Sequence, residues 1–166
     1  MTTQQDLRHQ IPARLDVDAA VPSYSKAMSH LDTTATRELD RVGFPAGLRE
    51  LVRLRASQIN GCAYCVDTHS ADAASAGESA QRINAVAVWN ESPFFTERER
   101  AALLWTEKLT LLSVDHVPDE VFEQVRQHFS EEELANLTLV IATINAWNRF
   151  GVSFRDVPGE YTPRKH

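Results

Sequence analysis

Apolar positions recur at three- and four-residue intervals along nearly the whole chain, and no run of Val, Ile or Thr alternates with polar residues in the way a half-buried strand requires. The pattern predicts an all-α fold. A polar leader precedes Pro22–Leu31, which reads as the start of one or two helices ending near Gly43. Pro45 reads as a first-turn proline opening a helix whose apolar positions Leu48, Leu51, Val52 and Ile59 share a face. A short alanine-rich helix over 66–76 should stop at Gly77, and another should cover 80–89. Thr96 and Glu99 form a capping box ahead of a helix over 97–112. Pro118-Asp119-Glu120 begins the next helix, and Ser130 with Glu133 caps a long one carrying Leu134, Leu137, Val140, Ile141 and Ile144. The tail from Arg155, with Pro158, Gly159 and Pro163, reads as irregular.

A chain of 166 residues with 43% hydrophobic residues can bury a core of its own, so the reading is a single domain over 1–166. Charge argues against nucleic acid: 17 basic residues face 23 acidic ones for a net charge of -6, with no basic cluster. The start Met1-Thr2-Thr3-Gln4-Gln5-Asp6 lacks the basic and apolar regions of a signal peptide. No apolar stretch approaches the roughly 20 residues that span a bilayer. The expectation is a cytoplasmic protein with no membrane partner.

The candidate chemistry is concentrated in Asn60-Gly61-Cys62-Ala63-Tyr64-Cys65-Val66-Asp67-Thr68-His69, which holds both cysteines of the chain. In a reducing compartment a Cys-x-x-Cys is more often redox-active or metal-binding than a static brace. On a helix Cys65 and His69 are one turn apart, where an imidazole can take the thiol proton or stabilise the thiolate. Cys62 and Cys65 are close enough to form a disulfide, so the pair can store two electrons. A position at a helix start, after the break at Asn60-Gly61, adds the positive end of the helix dipole. Glu50 lies on the preceding helix; a reversal at Gly61 would bring it beside His69 or Cys62, although taken alone it reads as a solvated carboxylate. A thioredoxin-like site is disfavoured because no βαβ pattern surrounds the motif. Zinc would find at most three nearby ligands in Cys62, Cys65 and His69, with Glu50 or a distant histidine as a fourth. A buried structural thiol pair is the remaining alternative.

Other residues have plainer readings. Trp89, Trp105 and Trp147 fall at helical positions and read as packing rather than as a site mouth. His9, His30, His116, His128 and His166 show no ligand spacing and read as surface residues. Asn145, Asn148 and Arg149 are a polar cluster on an apolar helix, best accounted for by capping or subunit contacts. Glu97-Arg98-Glu99-Arg100 reads as a solvated first turn with side-chain ion pairs, and Ser57 and Asn60 as residues that bond free backbone groups in the turn before the motif.

The block Arg49–Ser70, which holds Glu50, the Cys-x-x-Cys and His69, resembles the core of the alkylhydroperoxidase AhpD-like proteins of the carboxymuconolactone decarboxylase family. The likeness continues through Gly77-Glu78, Trp89–Pro93, Phe95–Ala101 and Ile144–Arg149, about two thirds of the chain. It implies an AhpD-like helical bundle with the Cys-x-x-Cys at the start of a central helix, assembled into homo-oligomers. It also implies a dithiol peroxidase for hydroperoxides that needs no cofactor. By position, Cys65 corresponds to the peroxidatic cysteine, Cys62 to the resolving one, and Glu50 and His69 to the proton relay. The implied reductant is a dithiol partner, lipoylated or thioredoxin-like. Founding members carry a histidine between the cysteines where this chain has Tyr64, a weaker proton carrier at neutral pH because a phenol titrates near 10. The decarboxylases of the family lack the thiol pair, which argues against lactone decarboxylation. A redox-sensing or disulfide-exchange protein with little turnover is the alternative reading.

Overall fold

A computed structural model describes residues 11–163; the Met1–Asp6 start, His9 and His166 lie outside them. The described residues form helices with no strand. After a one-turn helix α1 (Val17–Ala20) come α2 (Pro22–Arg41), α3 (Ala46–Asn60) and α4 (Ala63–Ser75). Next are α5 (Ala80–Ala85), a 3-10 turn at Val86–Val88, α6 (Glu97–Thr110) and a single turn α7 (Leu112–Asp115). The last helices are α8 (Asp119–Arg126) and the long α9 (Glu131–Phe154). No helix of the described residues is long and apolar enough to cross a membrane.

α3 is the axis of the bundle, packed against α4, α6 and α9. Its buried residues occupy every face: Leu48, Leu51, Val52, Leu54 and Ala56 lie among Arg49, Glu50 and Arg53, all nearly inaccessible to solvent. A helix apolar on one stripe needs one partner, whereas one buried all round must be enclosed. On one side Leu48 and Val52 join Leu39 of α2, Ala102 and Trp105 of α6, and Leu137 and Ile141 of α9 in the main core. On the other, Leu51 and Leu54 meet Leu103, Val86 and Phe95.

Both capping boxes form: Thr96 and Ser130 accept from the amides of Glu99 and Glu133, whose carboxylates bond back to the cap amides. Three local expectations differ from the structure. Pro45 is extended and sits one residue earlier than expected, as the cap before α3, because its missing amide is harmless there too. The helix expected over 80–89 tightens into the 3-10 turn after Ala85. Residues 98–100 are half-buried rather than solvated, although Arg98 and Glu99 do make side-chain ion pairs, with Glu133 and Arg82. Arg98 lies over the rings of Phe44 and Phe129 and bonds the His128 carbonyl and Glu133, while Arg100 gathers the carbonyls of Trp89, Asn90 and Ser92. The charged turn is a tertiary clamp.

Candidate active site

α3 ends at Gly61, which has the left-handed conformation (φ 70°) that glycine adopts without strain. The next residue, Cys62, is already the N-cap of α4, and its sulfur accepts from the amide of Cys65 at 3.3 Å. The chain therefore reverses over two residues, and α4 returns alongside α3. Cys62 and Cys65 are joined by a disulfide, 1% and 5% exposed, packed against Ala56 and Ile144 with Tyr64 and Trp147 beside them. Gly151 on α9 packs against the pair. A methyl group there would lie 2.6 Å from the Cys62 sulfur and 3.4 Å from that of Cys65.

The reversal carries Glu50 to His69. The Glu50 Oε2 lies 3.0 Å from His69 Nδ1, and Oε1 accepts from Arg49 Nε and Arg53 Nη1, each at 3.1 Å. The carboxylate is 1% exposed, so the solvated reading of Glu50 does not hold. Burial by itself would raise its proton affinity. The His69 hydrogen bond and the charges of Arg53, His69 and Arg49 outweigh burial and hold the carboxyl well below the usual carboxylate range. A permanent anion facing Nδ1 favours the tautomer with its hydrogen on Nδ1, which leaves Nε2 as the basic nitrogen. The guanidinium groups are held in turn: Arg53 reaches Asp32 at 3.0 Å and Thr36 at 2.7 Å, and Arg49 is paired with Asp40.

Asp72, one turn beyond His69, belongs to no motif in the sequence, although its i+3 relation to His69 is a signal that places both on one face. Oxygen or nitrogen atoms of Glu50, His69 and Asp72 lie within 4.8 Å of one another. That spacing would suit a cation, but Arg49, Arg53 and His69 occupy both oxygens of Glu50. The Tyr161 hydroxyl sits 2.8 Å from each oxygen of Asp72. The two adjacent guanidinium charges oppose a metal ion. Tyr161 carried no local signal, since the irregular tail alone brings it here.

Cys65 and His69 open onto a cavity of about 900 Å³. Tyr64, Ile144, Trp147 and Phe150 give it apolar surface, and residues of segments 13–18 and 156–161 line it as well. Trp147 thus lines the cavity, whereas Trp89 and Trp105 are anchored in the bundle through Glu107 and Thr138. Asn145 and Asn148 act within the chain: both accept from Asn60, and Asn148 donates to Ser57 while Asn145 donates to Thr110. This buried network pins the last residue of α3 to α9, immediately before the motif. Ser57 itself bonds the Arg53 carbonyl, and Asn60 meets side chains rather than the backbone. His30 and His116 are exposed, and His128 is half-buried.

Residues 22–108 match the model of the carboxymuconolactone decarboxylase family. Uncharacterized protein YdfG of Bacillus subtilis (strain 168) is 46% identical over 105 residues, 63% of this chain and 71% of that one. Uncharacterized protein YnjA of Escherichia coli (strain K12) is 34% identical over 113 residues, 68% of this chain and 61% of that one. A crystal structure from Agrobacterium tumefaciens, of a protein of unknown function described as a candidate antioxidant defence protein AhpD, superposes with a TM-score of 0.83 at 39% identity. It covers 90% of this chain and all of that one.

Proposed function

The chain belongs to the carboxymuconolactone decarboxylase family and has an AhpD-like fold, and from that premise we propose that it is a thiol-dependent peroxidase working through Cys62 and Cys65. One observation carries the reading: Cys65 of a redox-capable cysteine pair and a histidine bound to a buried anionic glutamate open onto one cavity large enough for a small organic molecule.

In the reduced protein, His69 Nε2 accepts the proton of Cys65, and Glu50 stabilises the resulting imidazolium through Nδ1–H. The Cys65 thiolate attacks the outer oxygen of a hydroperoxide. The O–O bond breaks, the departing alkoxide takes the proton from His69 and leaves as the alcohol, and Cys65 becomes a sulfenic acid. The Cys62 thiol displaces hydroxide from that sulfur, giving water and the Cys62–Cys65 disulfide. A dithiol partner then reduces the disulfide by exchange and is itself oxidised. In sum, one hydroperoxide and two thiols give one alcohol, one water and one disulfide. Because both sulfurs are buried behind the cavity, a dithiol on a flexible arm, such as a lipoyl group, suits the site better than a flat protein face. Assembly into homo-oligomers belongs to the same proposal, and exposed Leu111, Leu112 and Val114 offer apolar surface for it.

The test is a single turnover of the pre-reduced protein with cumene hydroperoxide, thiols being counted before and after. Wild type should lose two thiols per hydroperoxide consumed, Cys65→Ser should do neither, and His69→Ala should be slowed about 10²–10⁴-fold. Peroxide surviving with both thiols intact would reject the reading. Oxidation once without repeated turnover in the presence of dihydrolipoamide would instead favour the redox sensor.

A further inference from the structure

The walls of the cavity are unequal in charge. Tyr64, Ile144, Trp147 and Phe150 give it apolar surface, Asp16, Asp18, Asp156 and Glu160 also line it, and no lysine or arginine does among the described residues. Asp32 also lines it but is paired with Arg53. Two arginines lie close in sequence: the Arg14 guanidinium bonds the Ser153 carbonyl at the end of α9, and Arg155, next to Asp156, is not among the lining residues. Burial, and after it the neighbouring Asp18, raises the proton affinity of the Asp156 carboxyl, as expected of acids that face one another without a cation between them.

We propose that this cavity selects organic hydroperoxides by charge, taking an aromatic or aliphatic body that carries a positive group or none and rejecting one that carries a carboxylate. The inference rests on the peroxidase reading for the identity of the reacting group, whereas the charge preference belongs to the cavity. An apolar body displaces water from the aromatic side. A cationic group on it then meets the field of four carboxylates, and an anionic group meets the same field with the opposite sign. Free fatty acid hydroperoxides are thereby disfavoured relative to their esters or to amine-bearing hydroperoxides.

The test uses three probes with one body: cumene hydroperoxide and its para-carboxylate and para-trimethylammoniomethyl derivatives. Thiol loss of the pre-reduced protein is followed at pH 7 and low salt. The corresponding tertiary alcohols, which cannot react, are titrated calorimetrically into the oxidised protein. Rates and affinities should both fall in the order cation, neutral, anion, with about a tenfold spread from first to last. The spread should shrink with added salt and in the double variant Asp156→Asn, Glu160→Gln. An anion that reacts and binds as well as the cation, or a spread that survives the double variant, would overturn the proposal. If the alcohols keep the order while no probe oxidises the thiols, the peroxidase reading fails and the charge selection stands. If all three probes oxidise the thiols equally and all three alcohols bind equally, the charge selection fails and the peroxidase reading stands.

Discussion

The two sides of the cavity are held by different means. On the side of α3 and α4, Glu50 is enclosed by two arginines and a histidine, the cysteines are covalently joined, and Asn60 is tied to α9 through Asn145 and Asn148. The rest of the lining includes the 13–18 stretch, which runs into α1, and the irregular segment 156–161. Arg14 bonds the last carbonyls of α9, Gly159 donates to Asp67 at 2.8 Å, and Tyr161 reaches Asp72. Groups proposed to exchange a proton would need fixed separations, and burial with full pairing supplies them. Walls that would only admit or exclude a proposed substrate do not, so they can be built from irregular chain.

The comparison breaks most readily at Glu50. Removing one member of a buried charge cluster leaves its partners uncompensated, so Glu50→Ala should cost about 3–5 kcal/mol in urea unfolding. The milder Glu50→Gln should also change the acid limb of stability. The carboxyl is depressed in the folded state, so its contribution is complete above the unfolded value, about 4.3, and is lost as pH falls towards the folded value. Wild type should lose stability steeply below about pH 5, and Glu50→Gln should flatten that slope. Identical acid limbs in the two proteins would mean that α3 does not depend on this anion.

The rigid side is also the legible one. Cys62, Cys65 and His69 announce themselves by spacing, and the glycine at 61 marks the reversal that brings Glu50 to His69. What sequence spacing could not convey was the burial of Glu50. A carboxylate between two arginines reads as a solvated face until α2, α6 and α9 are known to enclose α3, and that enclosure comes from contacts far apart in the chain. The same holds for Asn145 and Asn148, whose partners Asn60, Ser57 and Thr110 lie on other helices. Tyr161 and Asp156 were illegible for a different reason: irregular chain has no period, so nothing in it says which side chain turns inwards.

Gly151 sharpens the contrast by testing the rigid side from α9. A methyl group 2.6 Å from the Cys62 sulfur has no room while that sulfur is locked in the disulfide. In the reduced protein the covalent constraint on that sulfur is gone. Gly151→Ala should therefore destabilise the oxidised form by about 1–3 kcal/mol, the usual range for overpacking, and the reduced form by less. Thermal melts of both forms check this, and an equal loss in each would show that the clash is relieved by moving the helix rather than the sulfur.

The smallest effect is expected on the loosely built side. Tyr161→Phe keeps the ring and removes the hydroxyl that bonds Asp72, which should cost about 0.5–1.5 kcal/mol. Because the tail is attached at few points, that loss should appear as local opening rather than as a lower global stability. Hydrogen exchange should accelerate at the amide of Gly159, which donates to Asp67, while the amides of α3 and α4 keep their protection. Faster exchange in α4 as well would mean that Asp72 transmits the loss to His69, and the two sides would then be one mechanical unit. The division of labour would have to be redrawn with the tail as part of the rigid side.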